Sequence, residues 1–240
     1  MLIPIILLHL AAVVQQSLEQ GTLSKITAEK QKEILDKHNA IRRAVQPTAS
    51  NMMKMTWSEK ATESAKKRAE KCTPNVRLKE ERTVDGIVCG ENALQSSSSY
   101  PWSKIIQMWQ KKSSNFQYGV GAIGPKKDIY SYTQIIWHNS HQIGCGLAYC
   151  ESGNSPMYLY VCHYCPRGNL IQQIATPYTE GLPCGDCPNN CEDKLCTNPC
   201  TYVDLKTDCE AIIDLFSCDI PEFEQQCQAT CKCKTEMDID

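Results

Sequence analysis

The chain of 240 residues is 42% hydrophobic and 22% charged, with a net charge of −2 and 16 cysteines. That length can bury a real core, with room for one domain and a small appendage, and an even cysteine count at this density excludes a reducing cytosol. Residues 1–183 hold 21 Lys and Arg against 14 Asp and Glu, whereas residues 184–240 hold 4 against 13, so a mildly basic body precedes an acidic tail with no basic stripe for nucleic acid.

Met1 to Val14 is almost wholly apolar, too short to span a bilayer, and followed by polar Gln15-Gln16-Ser17. Residues 1–19 therefore read as a secretory signal, cleaved between Ser17 and Gly21. No later stretch is apolar enough to cross a membrane, and no Asn-x-Ser/Thr sequon occurs. Ala28 to Val45 predicts an amphipathic helix with Ile34, Leu35, Ile41 and Val45 at helical spacing and Pro47 beyond its end. His38, Asn39 and Arg42 fall on it, and His38 reads as a hydrogen-bonded residue at the edge of the core. Ser58 is the expected N-cap of a second helix reaching Cys72, whose Ala61, Ala65 and Ala69 form a small-residue row that permits close packing.

Thr73 to Asp85 is polar and reads as a surface loop, and so does Ser96 to Ser99. A third helix is expected from Trp102, with Trp102, Ile105, Ile106 and Trp109 facing the core rather than a ligand. Gly119 to Pro125 reads as a flexible connection into strands, and a phosphate-binding loop is excluded because no helix is expected after it. From Tyr130 to Leu170 three runs rich in β-branched and aromatic residues follow: Tyr130 to Trp137, Ile143 to Cys150 (broken by Gly144 and Gly146) and Met157 onward. Together they predict the middle of an antiparallel sheet.

Pro177 to Pro183 reads as a linker, and ten cysteines follow in residues 184–240. A segment that small buries little apolar area and depends on disulfides. Zinc is the rival for Cys184-x2-Cys187, but all five histidines precede residue 184.

Two motifs carry a resemblance. Tyr132-Thr133-Gln134-Ile135-Ile136-Trp137 with Ser140, and Leu159-Tyr160-Val161-Cys162-His163-Tyr164-Cys165-Pro166-Arg167-Gly168-Asn169-Leu170, are similar to the two signatures of the CAP superfamily. His38-Asn39 with Arg42, and Cys89-Gly90-Glu91-Asn92, are CAP-like as well. With the ten-cysteine tail, the whole chain resembles a cysteine-rich secretory protein (CRISP), most like reptile venom members in the region Ala11 to Ser17. The resemblance implies an α+β fold: an α-β-α sandwich CAP domain over residues 28–176, a linker and cysteine-rich hinge over 177–199, and a small disulfide-rich helical knob over 200–240, an ShKT-like domain similar to the potassium-channel toxins of sea anemones. It implies the pairs Cys72–Cys150, Cys89–Cys165 and Cys145–Cys162 in the body and Cys184–Cys191 and Cys187–Cys196 in the hinge. In the knob it implies Cys200–Cys233, Cys209–Cys227 and Cys218–Cys231; spacing alone leaves connectivity open.

Many CAP domains hold a divalent metal between two His and two Glu. The corresponding positions here are Val76, Glu91, Lys112 and Ser131. Three of the four ligands are replaced, one by a cation that could pair with Glu91, so neither a metal nor any other cofactor is expected. His138, His141 and His163 lie near the strands, but no nucleophile motif accompanies them, so an enzyme is not expected. The CRISP resemblance instead implies a secreted, monomeric modulator of a cell-surface ion channel: a voltage-gated calcium channel serving depolarisation-evoked smooth-muscle contraction, or a potassium, ryanodine-receptor or cyclic-nucleotide-gated channel. A reproductive or immune role in adhesion is the alternative. Within 200–240 the cations Lys206, Lys232 and Lys234 face ten Asp and Glu, the wrong field for plugging a cation pore. Tyr202, Phe216 and Phe223 are the candidate contacts with a channel's outer face.

Overall fold

A computed structural model describes residues 26–73, 78–151, 156–198, 205–206, 208–228 and 230–231. Residues 1–19, Val76, Tyr202, Lys232, Lys234 and the pair Cys200–Cys233 lie outside the described residues. The chain divides into two compact units, one ending at Thr197 and the other beginning at Asn198.

The first unit begins with helix α1 (Ala28–Arg43), capped by the Thr27 hydroxyl, which accepts from the Lys30 N–H. Strand β1 (Thr56–Trp57) leads into α2 (Glu59–Glu70), whose N-cap is Ser58. Strands β2 (Thr83–Val84) and β3 (Ile87–Val88) form a small ribbon before β4 (Gly90–Ser96). Helix α3 (Trp102–Gln110), the ribbon β5 (Phe116–Gln117) and β6 (Gly121–Ala122), and helix α4 (Tyr130–Ile135) follow. Strands β7 (Gln142–Cys150) and β8 (Met157–Cys165) complete the central sheet, in the order β1-β7-β8-β4. Only the β1–β7 pair is parallel.

The period of two along β7 and β8 makes the three layers. Ile143, Cys145, Leu147, Tyr160, Cys162 and Tyr164 face the core built with Ile34 and Ile41 of α1 and Trp102, Ile105 and Trp109 of α3. Ala148, Cys150, Leu159 and Val161 face Ala65 and Ala69 of α2 on the other side. This is the α-β-α sandwich, and it needs Gly144 and Gly146. A Cβ on Gly144 would sit 2.0 Å from the Thr62 nitrogen, and one on Gly146 2.5 Å from the Lys66 nitrogen. The two glycines therefore do not break the second run; they let β7 pass against the alanine row of α2 without a gap.

The first run, Tyr130 to Trp137, is the helix α4 and not a strand, and a helix does follow Gly119 to Pro125. Tertiary bonds override the β propensity. The buried Arg42 guanidinium donates to the carbonyls of Ile135, Trp137 and His138 at 2.7–2.8 Å. Without it the Ile135 carbonyl at the helix end would lack a partner among the described residues, whereas those of Trp137 and His138 also accept from the Ser140 and Met53 N–H groups.

Disulfides join Cys72 to Cys150, Cys89 to Cys165 and Cys145 to Cys162, linking α2, the start of β4 and β7 to the sheet. The segment with Cys184–Cys191 and Cys187–Cys196, which includes β9 (Cys191–Glu192) and β10 (Leu195–Cys196), belongs to this first unit. The Cys196 N–H donates to the Met52 carbonyl and the Lys54 N–H to the Cys196 carbonyl, both at 2.8 Å, while Leu195 is fully buried in the main core. Upstream, the Ser50 N–H donates to the Thr179 carbonyl.

In the second unit, α5 (Cys209–Phe216) and α6 (Pro221–Gln226) are held by Cys209–Cys227 and Cys218–Cys231. Its large apolar side chains are mostly outside: Leu205 and Leu215 are each 76% exposed and Phe216 is 52% exposed. The rings of Phe216 and Phe223 stand 5.1 Å apart.

Candidate functional site

A concavity of about 1180 Å³ lies in the first unit. Its walls come from β4, the end of α3 with the 3-10 turn Lys111–Asn115, the start of α4, and the loop after β8. Glu91, Lys112 and Ser131 all line it, so the structure brings three of the four family cleft positions together; Val76 is the fourth.

Proximity does not make them a metal site. Alternation along β4 places Glu91 opposite His163 and Asn92 on the α1 side of the sheet. The buried Glu91 carboxylate has Oε2 3.3 Å from Arg68 Nε and 3.4 Å from His163 Nε2. Lys112 does not pair with Glu91; its ammonium lies 3.3 Å from Asp128 Oδ2, because the turn after α3 points it across the mouth of the cleft. The Ser131 hydroxyl donates to the Trp109 carbonyl at 3.4 Å. An ammonium, a donating hydroxyl and a carboxylate engaged by a guanidinium do not suit a divalent cation. The three cysteines whose sulfurs lie close enough to share an ion, Cys184, Cys187 and Cys196, are all in disulfides.

His163, on β8, is fully buried. Its Nδ1 lies 3.1 Å from Ser64 Oγ, so Ser64, His163 and Glu91 form a line. The Ser64 hydroxyl donates to the Glu81 carbonyl at 3.1 Å, which directs its proton away from His163. The group thus ties α2 to the sheet and is not arranged as a nucleophile and base. Sequence reasoning missed Arg68 and His163 as partners of Glu91; the β4–β8 register sets His163 opposite Glu91 and the packing of α2 on the sheet brings Arg68, neither of which a local pattern encodes.

His38 is also deeper than expected, fully buried rather than at the core's edge. Its Nδ1 lies 2.8 Å from the Ile34 carbonyl and its Nε2 3.0 Å from the Tyr164 hydroxyl. Burial above all, with Arg42 nearby, lowers its pKa to about 4, and burial raises that of Tyr164. His138, mostly buried and near Arg42, is likewise lowered to about 4.

The two long motifs meet in space. Thr133 donates to the Asn169 side-chain oxygen at 2.6 Å, the Gly168 N–H donates to the Gln134 side-chain oxygen at 3.3 Å, and Ser140 donates to the Pro166 carbonyl at 2.7 Å. Gly168 also lies against the Trp137 indole, where a Cβ would come within 2.5 Å of the ring. Of these residues Gln134, Gly168 and Asn169 line the cleft.

This sandwich with its interlocked motifs defines a CAP domain. Residues 35–164 match the model of the cysteine-rich secretory protein family, and residues 184–238 match the Crisp model for the tail. The chain is 43% identical over 235 residues to the cysteine-rich venom protein helothermine of Heloderma horridum horridum, covering 96% of this chain and 97% of that one. The chain belongs to the cysteine-rich secretory protein family and is similar to its reptile venom members. Among solved structures, Na-ASP-1 superposes with a TM-score of 0.61 at 26% identity, over 74% of this chain and 49% of that one. The chain thus spans about half the length of Na-ASP-1. NaASP2, solved with Zn2+, gives 0.58 at 23% identity over 71% of this chain and 96% of that one, and shows the fold.

Proposed function

We propose that the chain is a secreted, monomeric venom protein that modulates a cell-surface ion channel without enzymatic chemistry, recognising it through the second unit. The observation that carries this reading is the exposed apolar group Leu205, Leu215, Phe216 and Ile220 on that unit, in a segment where acids outnumber bases. Side chains that gain about 1.5–3 kcal/mol on burial are left in water there, as a docking surface requires. The venom relative supports the class of activity. Phe216 and Phe223, with Tyr202, are the proposed contacts, and the acidic surroundings favour a channel's basic outer loop over a negative pore mouth.

The finer target proposed is voltage-gated calcium entry in smooth muscle. Force in arterial strips, evoked by high potassium and separately by caffeine, tests it with the folded full chain. Block of the potassium response alone is expected; unchanged force in both would overturn the calcium-entry reading and favour another channel or an adhesion role. Neutralising Lys232 and Lys234 together should change potency little, and a large loss would restore the pore-plug reading.

A further inference from the structure

We propose that the cleft of the first unit binds a small ligand bearing a sulfate or phosphate ester, in place of the cation its family position would take. Hydrogen-bond capacity decides the sign. Four cationic side chains line the cleft, Arg82, Lys111, Lys112 and Arg167, against the carboxylates Glu91 and Asp128. Glu91 is already compensated by Arg68 behind it, so the cavity presents an excess of positive charge.

A second observation points the same way. Trp109 is buried in the cleft wall, and its indole N–H has no acceptor among the described residues. A buried N–H without an acceptor is destabilising. Trp N–H can only donate, and so can lysine and arginine side chains, so what the cleft calls for is an acceptor. Sulfate and phosphate oxygens offer several acceptors in one compact group.

The existing pairing of Lys112 does not oppose this. Its contact with Asp128 joins two half-exposed side chains, and such surface pairs are weak. The ammonium can turn to a ligand at little cost. The cavity, about 1180 Å³, exceeds the space one inorganic ion needs and suits a ligand of drug size. At its rim Tyr130 is 58% exposed and Ile171 85% exposed, an apolar lip against which the ring face of a saccharide can rest.

Titration calorimetry on the folded full chain tests the idea with inorganic sulfate, inorganic phosphate, N-acetylglucosamine 6-sulfate and glucose 6-phosphate as probes. Saturable binding of at least one ester, tighter than the matching inorganic ion, is expected. Preference for the sulfated or for the phosphorylated sugar identifies the natural source of the oxyanion. Lys112→Glu should weaken binding at least tenfold, and Trp109→Phe, which keeps the ring and deletes the donor, should weaken it several-fold. Near-ultraviolet circular dichroism shows whether each variant is folded; Lys111→Glu, on an exposed turn, serves if Trp109→Phe is not. No saturable binding of any probe, or binding unchanged by Lys112→Glu, overturns the proposal.

Discussion

The two units solve the same problem, holding a secreted chain together, by different physics. The first has a sheet covered on both faces, so its cysteines reinforce a core that Trp102, Trp109, Ile135 and Tyr160 already fill. The second has two short helices and leaves Leu215 and Phe216 in water. There the disulfides are the main cohesion, because too little apolar area is removed from water to offset chain entropy. What a small unit gains is an apolar face that its own fold does not consume, whereas a large one hides such faces.

The greatest effect should come from the first unit's buried charge. Arg42→Met removes the donor of the buried Met53 and Ile135 carbonyls and one of two donors to those of Trp137 and His138, and a loss of about 2–6 kcal/mol, about 1–3 for each orphaned carbonyl, is expected in urea unfolding. If the loss is under 1 kcal/mol, packing alone holds α4 and the guanidinium is dispensable. Next, Cys209→Ser with Cys227→Ser opens a loop of 18 residues and should cost the second unit about 3 kcal/mol. Hydrogen exchange should show this loss confined to residues 205–231; protection lost in the central sheet would mean the units do not differ as described.

Acid should act on the first unit. His38, with its pKa lowered to about 4, stays neutral in the fold while the unfolded chain takes up a proton below about pH 6.5. The unfolded state then binds more protons, so stability falls as pH drops from 6.5 toward 4, by about 1.4 kcal/mol per unit for this residue. His38→Gln should remove this share and leave that of His138, whose pKa is lowered alike; an unchanged slope would assign it elsewhere. Gly144→Ala should cost about 1–3 kcal/mol by pushing α2 off β7, read as a lowered melting temperature. Smallest of all, Leu215→Ser should change stability by less than about 0.5 kcal/mol yet reduce activity on muscle strips. A large stability loss would show that the exposed face is part of a core after all.

The sequence was most legible where one period dominates. Helix α1, the alanine row of α2, the apolar face of α3 and the strands β7 and β8 follow from spacing. Helix α4 did not, since Tyr-Thr-Gln-Ile-Ile-Trp has strand propensity and becomes helical through Arg42, which lies 93 residues before Ile135. Strand β4 was hidden because its mixed Gly, Glu, Asn and Gln residues carry no alternation. The cleft was readable as a set of positions, but not in its pairings. Lys112 meets Asp128 and Glu91 meets Arg68 and His163, contacts set by register and by a turn rather than by any local pattern.

The attachment of β10 at Met52 and Lys54 bears on how fragments of this protein should be made. Expression stopped at residue 176, before the linker, would remove Leu195 from the core and the Cys196 backbone from its two bonds. It would also strip the Thr179 carbonyl from Ser50. A recombinant body therefore extends from residue 26 to 197, carrying the five disulfides of that unit, and the shorter piece should come out of cells as aggregate.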